Sequence, residues 1–255
     1  MKKLISALLV ALFVSACGQE QSEMSAVDGD WRHHGGNHRS DKYSPLDQVN
    51  GSNFALLEVA WRYRSPDLDL PEELAYPTGD YRAVPLVIDG VMYVNSNHGL
   101  ISALDPVTGE EHWVFDPKSY EYGPPLFSPL QTRGIEYWTD GNIERLFIAT
   151  AGKQLVSVDI ETGQPDPNFG DDGYVDLRQN FGRFEFEMNN ITHGAPPIAI
   201  GSTVVVGSKI YDFSMYNRSP PGHVRAYDAY TGQFKWRFNT IPQAGEFGNE
   251  TWEND

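Results

Sequence analysis

The sequence has few of the residues on which several common protein classes depend. Of its 255 residues only one, Cys17, is a cysteine, so no disulfide can form within the chain. Basic residues are also scarce, because 19 Lys and Arg stand against 35 Asp and Glu, for a formal net charge of −16. Binding to a nucleic-acid backbone needs clustered positive charge, so no nucleic acid is expected among the partners.

Several cofactor and membrane signatures are missing as well. The sequence contains no Cys-x-x-Cys-His motif for covalent haem and no Gly-x-Gly-x-x-Gly motif for a dinucleotide. No segment shows convincing helical periodicity, and the apolar run at residues 4–14 is too short to form a permanent membrane span. What is present is a turn-rich composition with 24 Gly, 17 Pro and 13% aromatic residues, which is typical of a globular protein.

The N-terminus reads as a targeting signal. Two lysines precede the apolar run, and the run ends in Val-Ser-Ala-Cys17, which resembles a bacterial lipobox. We expect residues 1–16 to be a lipoprotein signal peptide, Cys17 to carry the lipid, and residues 17–30 to form a polar tether. This predicts a lipid-anchored protein on the periplasmic side of a bacterial membrane. The alternative is an ordinary signal peptide with an incidental cysteine.

The remaining chain contains an internal repeat. A short alternating strand ends in Asp-x-x-Thr-Gly at Asp105, Asp159 and Asp228, at separations of 54 and 69 residues. In the first and third copies a Trp follows the glycine, at Trp113 and Trp236, and each is expected to point inward from the strand that begins there. The aspartate can accept hydrogen bonds from the turn backbone, and the glycine can adopt positive φ before the next strand begins.

Further strands precede each copy, the clearest being residues 84–88 and 91–94 around a predicted Asp89-Gly90 turn. Four strands per unit, repeated along an all-β chain, predict a β-propeller over residues 31–255 with about three blades. A β-sandwich or a barrel is the competing all-β architecture, but neither requires the same corner three times. Residues 60–63, with Trp61, are similar to the outer strand of one further blade.

These features resemble the pyrroloquinoline-quinone (PQQ) dependent dehydrogenases, the quinoprotein glucose and alcohol dehydrogenases. The resemblance rests on the Ala-x-Asp-x-x-Thr-Gly-x-x-x-Trp corner and on three more specific segments. These are Tyr-Ser-Pro-Leu-Asp-Gln-Val-Asn at residues 43–50, Ala-Trp-Arg at 60–62, and the stretch from Thr-Ile-Pro to Glu-Thr-Trp at 240–252. The family's eight-bladed propeller implies that this chain is an incomplete, N-terminal part of such a ring.

The resemblance also implies site residues. His98 matches a histidine near the quinone in the glucose-dehydrogenase branch, and Arg133 matches an arginine that pairs with a PQQ carboxylate. Gly207 and Ser208 match the small residues under the quinone, and Asp212 matches the position of a calcium ligand. The competing interpretation of each is an ordinary loop or surface residue; for His98 it is an exposed loop histidine.

The implied function is oxidation of a sugar or alcohol hydroxyl with hydride transfer to PQQ, assisted by Ca²⁺ (or Mg²⁺). Electrons would pass to ubiquinone or cytochrome c. The general-base aspartate and the tryptophan under the quinone are expected beyond residue 255, so this chain alone is expected to be inactive. The alternative is a non-catalytic propeller lipoprotein that acts as a scaffold in outer-membrane assembly. A genuinely short, inactive gene product is a third possibility.

Overall fold

A computed structural model describes residues 29–76, 81–123, 133–182, 191–209 and 220–252. The proposed signal peptide, Cys17 and Asp212 lie outside the described residues, so the predictions for them stay predictions. Within the described ranges the regular secondary structure is almost wholly β-strand, and its only helical elements are short 3₁₀ turns. These turns span Phe54–Leu56, Pro66–Asp69, Ser119–Tyr122 and Asn249–Thr251.

The described strands form three antiparallel sheets of four strands each, taken in chain order. Sheet 1 contains β1 Leu86–Ile88, β2 Val91–Asn95, β3 Ile101–Leu104 and β4 Glu111–Phe115. Sheet 2 contains β5 Glu136–Thr139, β6 Glu144–Ala149, β7 Gln154–Asp159 and β8 Tyr174–Asp176. Sheet 3 contains β9 Ile198–Ile200, β10 Thr203–Gly207, β11 Val224–Asp228 and β12 Phe234–Phe238. The predicted succession of four-stranded blades is confirmed.

The first hairpin shows how local sequence sets this topology. Ile88 pairs with Val91, which leaves Asp89 and Gly90 as a two-residue loop with φ of 48° and 80°. Positive φ at both positions is the geometry of a type I′ turn, whose twist matches that of the flanking strands. The predicted Asp-Gly turn is therefore present.

The corner that ends the third strand of each sheet has the same hydrogen bonds in all three copies. Oδ1 of Asp105, Asp159 and Asp228 accepts a hydrogen bond from the backbone N–H of the threonine three residues later, at 2.7, 2.8 and 3.0 Å. The glycine that follows has φ of 74°, 67° and 70°, a conformation that glycine adopts without a Cβ penalty. The repeat in the sequence is thus a repeated turn.

Each corner glycine also makes room for a side chain from the preceding part of the chain. Trp61 lies against Gly109 and donates its indole N–H to the carbonyl of Pro106 at 3.1 Å. Trp113, on the last strand of sheet 1, lies against Gly163 in the corner of sheet 2. The tryptophan therefore joins neighbouring sheets and does not point into the interior of its own sheet.

The second repeat, which lacks the tryptophan, is joined to sheet 3 differently. Val175 of β8 and the backbone of Gly170 lie against Gly232, and the Gly170 N–H donates to the carbonyl of Thr231 at 2.9 Å. A small aliphatic side chain with one backbone hydrogen bond thus replaces the indole at this junction.

Two apolar cores lie between the sheets. Sheets 1 and 2 share one cluster, which includes Leu86, Tyr93, Leu146 and Val156. Sheets 2 and 3 share the other, which includes Phe147, Leu155, Val204 and Tyr227. Sheet 2 is therefore covered on both faces, which explains the nearly continuous burial of β6 and β7.

The two outer-strand tryptophans Trp61 and Trp236 have different surroundings. Residues 60–63 carry Trp61 to the corner at Gly109 and are not paired with another strand among the described residues. The repeat predicts an inward-pointing Trp236, yet this side chain is 45% exposed, and Phe238 and Ile198 on the same sheet are also exposed. In sheet 1 the equivalent face, with Trp113, is the one that packs on sheet 2. The matching face of sheet 3 has no fourth sheet to cover it among the described residues.

None of the helical segments in the described ranges has the length and apolar character needed to cross a membrane.

The corner predicts a specific stability effect. A Cβ at position 163 would lie 2.5 Å from the Trp113 ring, at a residue with positive φ. We expect Gly163→Ala to lower the free energy of unfolding by about 2–5 kcal/mol, from backbone strain and overpacking together. The measurement is urea denaturation followed by circular dichroism.

Gly90→Ala is the matched control, because Gly90 has a similar positive φ but a Cβ added there would meet nothing within 4 Å. Gly90→Ala should lower the free energy of unfolding only by the cost of backbone strain, about 1–2 kcal/mol. Equal losses in the two variants would show that the tryptophan contact contributes nothing.

Candidate active site

The predicted quinone-contacting residues that the structure describes lie at the same end of their respective sheets. His98 follows β2, and Gly207 and Ser208 end and follow β10, which is the equivalent second strand of sheet 3. Arg133 precedes β5, and the start of a first strand lies beside the end of its antiparallel second strand. Loops at one end of a set of sheets are where a rigid scaffold presents binding residues.

His98 is buried, with 3% of its surface exposed, and is therefore not an exposed loop residue. Its Nδ1 lies 3.0 Å from Oδ2 of Asp67, and its backbone carbonyl accepts a hydrogen bond from the Ser119 hydroxyl. The next residue, Gly99, has φ of 91°, which turns the chain back into β3. Nε2 of His98 is buried and has no hydrogen-bonding partner among the described residues.

Asp67, the partner of His98, is a residue of the candidate site that could not be identified from the sequence. Burial alone would raise the pKa of Asp67, but hydrogen bonds from His98 and Ser96 outweigh it and hold the pKa below its usual value. The carboxylate is therefore ionised at neutral pH and fixes the orientation of the His98 ring. Asp67 lies 31 residues before His98 in a non-repeating segment, so no spacing rule connects them.

Arg133 lies at the surface, immediately before the buried start of β5. Its backbone carbonyl accepts a hydrogen bond from the N–H of Val84 at 3.3 Å, which ties the segment before β1 to the segment before β5. The guanidinium is thus carried by a restrained backbone while the side chain remains accessible. A planar fork of N–H donors in this position can bind a carboxylate through two parallel hydrogen bonds.

Gly207 and Ser208 are held by two buried groups. Nδ1 of His193 lies 2.8 Å from the Gly207 carbonyl oxygen, and Nη2 of Arg225 lies 3.3 Å from Oγ of Ser208. Nη1 of Arg225 donates to the carbonyls of Leu177 and Gln179 at 2.6 and 2.8 Å. Arg225 therefore connects the end of β10 to the segment after β8.

The described neighbours of these residues form separate groups. His98 contacts Asp67 and Ser119, whereas Gly207 and Ser208 contact His193 and Arg225. The structure brings the groups to one end of the sheets without direct contact between them.

Three four-stranded sheets joined at repeated Asp-x-x-Thr-Gly corners, with a buried histidine and an accessible arginine at one end, define a β-propeller of the quinoprotein type. Residues 31–255 match the family model described as "PQQ: Glucose/ethanol/alcohol dehydrogenase, beta-propeller domain". The chain belongs to this family.

Curated relatives include both sugar and alcohol enzymes. The chain is 30% identical over 238 residues to quinoprotein glucose dehydrogenase A of Acinetobacter calcoaceticus, covering 86% of this chain and 29% of that protein. It is 31% identical over 222 residues to the dehydrogenase subunit of the quinone alcohol dehydrogenase of Gluconobacter oxydans, covering 87% and 26%. The chain thus spans under a third of the length of these relatives.

Solved structures agree on the fold. The quinohemoprotein alcohol dehydrogenase ADHIIG of Pseudomonas putida HK5 superposes with a TM-score of 0.66 at 27% identity, covering 86% of this chain and 29% of that one. The predicted propeller class and the resemblance to quinoprotein dehydrogenases are both confirmed.

The environment of His193 predicts a pH effect. Burial and the nearby charge of Arg225 lower the pKa of His193 to about 4. In the unfolded chain this histidine takes up a proton near pH 6.5, whereas in the folded protein it stays neutral until the pH approaches 4. The contribution of His193 to the free energy of unfolding is therefore full above pH 6.5 and is lost as the pH falls towards 4. The loss over that window is about 3 kcal/mol.

His193→Asn keeps a donor for the Gly207 carbonyl but cannot titrate. We therefore expect the unfolding free energy of His193→Asn to fall less than that of the unsubstituted protein between pH 7 and pH 4, as measured by urea denaturation at each pH. The exposed His112→Asn is the control and should keep the full pH dependence. An unchanged pH dependence in His193→Asn would contradict the assignment of a neutral, buried imidazole.

Proposed function

We propose that the full-length protein is a PQQ-dependent dehydrogenase that oxidises a hydroxyl group of a sugar or an alcohol. The observation that carries this proposal is His98, a buried imidazole whose Nε2 has no partner among the described residues, located where the family resemblance expects the quinone. A buried polar atom without a partner is unfavourable in the protein alone, and a ligand acceptor or donor at this position would satisfy it.

The described residues fit such a cofactor. Arg133 would bind a carboxylate of the quinone, and the ring of His98, oriented by Asp67, would contact its polar edge. Space around Gly207, where an added Cβ would meet nothing within 4 Å, would let a flat ring approach the backbone. Ser208, held by Arg225, would contribute a hydroxyl at the same position.

When bound, PQQ supplies the acceptor for the hydride of the substrate C–H bond. The residues of this chain would bind and orient it, Arg133 through its guanidinium and His98 through its buried ring. Asp212, which lies outside the described residues, would be a ligand of Ca²⁺ (or Mg²⁺), since hard cations prefer carboxylate oxygens. The general base is proposed to lie outside these 255 residues, and ubiquinone or cytochrome c is proposed as the electron acceptor.

We also propose that the protein is anchored through Cys17 on the periplasmic side of a bacterial membrane. Two acyl signals are enough for stable anchoring, whereas one is marginal. The lipobox-like Val-Ser-Ala-Cys17 supports this location. We expect Cys17→Ser to move the full-length protein from the membrane fraction to the soluble fraction. Membrane retention of the variant would contradict the anchor.

The function is tested with the product of the complete gene. After reconstitution with PQQ and Ca²⁺, we expect dye reduction with glucose or with short alcohols, and no reduction when PQQ is omitted. Failure to retain PQQ, together with no turnover on either substrate class, would contradict the enzyme and favour the non-catalytic propeller.

Arg133→Ala tests the binding residue itself. Loss of a charge-assisted hydrogen bond is expected to weaken PQQ binding about tenfold or more, measured by titrating the apoenzyme with PQQ. Arg62→Ala is the matched control, because Arg62 is exposed in the segment that carries Trp61 to its corner, and it should leave PQQ affinity unchanged. Equal affinity in both variants would remove Arg133 from the proposed site.

A further inference from the structure

A second cluster of ionisable side chains lies where the N-terminal segment meets sheets 2 and 3. It consists of His33 and His38 from that segment and Glu136, the first residue of β5. Glu136 is almost completely buried, with 3% of its surface exposed, and one of its oxygens accepts the backbone N–H of Ala199 in β9 at 3.0 Å. A carboxylate in such a place needs compensation for its lost hydration.

Both histidines face the same carboxylate oxygen. Nδ1 of His33 lies 3.3 Å from Oε1 of Glu136, and Nε2 of His38 lies 3.5 Å from it. The two imidazole centroids are 4.0 Å apart with the ring planes at 37°. Three potential ligand atoms therefore converge within 4.8 Å of one another.

These separations match the spacing of ligands around a metal ion. Hydrogen bonds from the two histidines to Glu136 hold the pKa of its carboxyl below the usual value against the effect of burial, so the carboxylate is ionised and able to act as a ligand. Ligands at about 2.0–2.1 Å from a tetrahedral Zn²⁺ are about 3.3–3.4 Å from one another. The 3.3 and 3.5 Å separations are close to the edge length of such a tetrahedron.

The backbone around the histidines is restrained before any ion binds. The Gly36 N–H donates to the His33 carbonyl at 2.8 Å, and the side-chain oxygen of Asn37 accepts the N–H groups of Arg39 and Asp41 at 3.0 and 3.3 Å. This compact turn sets the spacing of His33 and His38. The Ala199 N–H donates to Oε1 of Glu136, the same oxygen that the two histidines face, and so orients the carboxylate, as outer partners of metal ligands commonly do.

We propose that His33, His38 and Glu136 form a binding site for a divalent first-row transition metal, of which Zn²⁺ is the type expected for two imidazoles and one carboxylate. The side chain of His38 is 33% exposed, so solvent reaches the site from that side and can supply a fourth ligand. The ion ties the N-terminal segment to β5 and, through Ala199, to β9. The site does not depend on the proposed dehydrogenase activity.

The test measures zinc binding to the full chain after removal of metal with a chelator. We expect one Zn²⁺ bound per chain at this site, and Co²⁺ in its place should show the visible absorption of a tetrahedral or five-coordinate ion. His38→Asn should weaken binding by about 10–100-fold or more. Because His38 is partly exposed, this variant should keep its fold, which circular dichroism verifies.

His112→Asn provides the matched control, since His112 is an exposed histidine on β4 that is not in the cluster. It should bind Zn²⁺ as tightly as the unsubstituted chain. Zinc binding that is absent from the unsubstituted chain, or that is equally strong in His38→Asn, would overturn the proposal. Co²⁺ bound only in an octahedral, surface-like form would overturn it as well.

Discussion

The contact between a packed side chain and a corner glycine that has no room for a side chain of its own is the constraint on which the three sheets depend. The aspartate of each corner fixes the turn by accepting backbone N–H groups, and the glycine then reaches a φ near 70°. Trp61 and Trp113 occupy the space where a Cβ would be. A side chain at the glycine would therefore disturb both the turn and the junction of two sheets.

The junctions in turn hold the loops at one end of the sheets. Arg225 is buried, and burial lowers its pKa, yet its guanidinium reaches two carbonyls after β8 and the hydroxyl of Ser208. The guanidinium of Arg225 also lies 3.9 Å from the centre of the Phe181 ring. Removing one partner from such a group leaves a buried charge uncompensated, which makes these contacts hard to replace. The segment at the end of β10 is thus held by a buried charge that belongs to the fold.

Much of the architecture could be predicted because it is local and repeated. Strand alternation, the Asp89-Gly90 turn and the Asp-x-x-Thr-Gly corners are each encoded within about ten residues. Contacts between distant, non-repeating segments could not be predicted in the same way. The pairing of Asp67 with His98 and the convergence of His33 on Glu136 arise only when the sheets pack. The exposure of Trp236 could not be predicted for the same reason, since its partner surface is a property of the neighbouring sheet.

The direction of the tryptophan contacts has a consequence for the order in which the chain folds during synthesis. Trp61 packs against a glycine 48 positions later, at Gly109, and Trp113 against one 50 positions later, at Gly163. Each ring therefore leaves the ribosome before the turn that receives it has been made. During synthesis, the face of a sheet that packs on the next sheet stays exposed until that next sheet has folded. The sheets are therefore expected to assemble from the N-terminus to the C-terminus, with the exposed apolar surface on the most recently folded sheet.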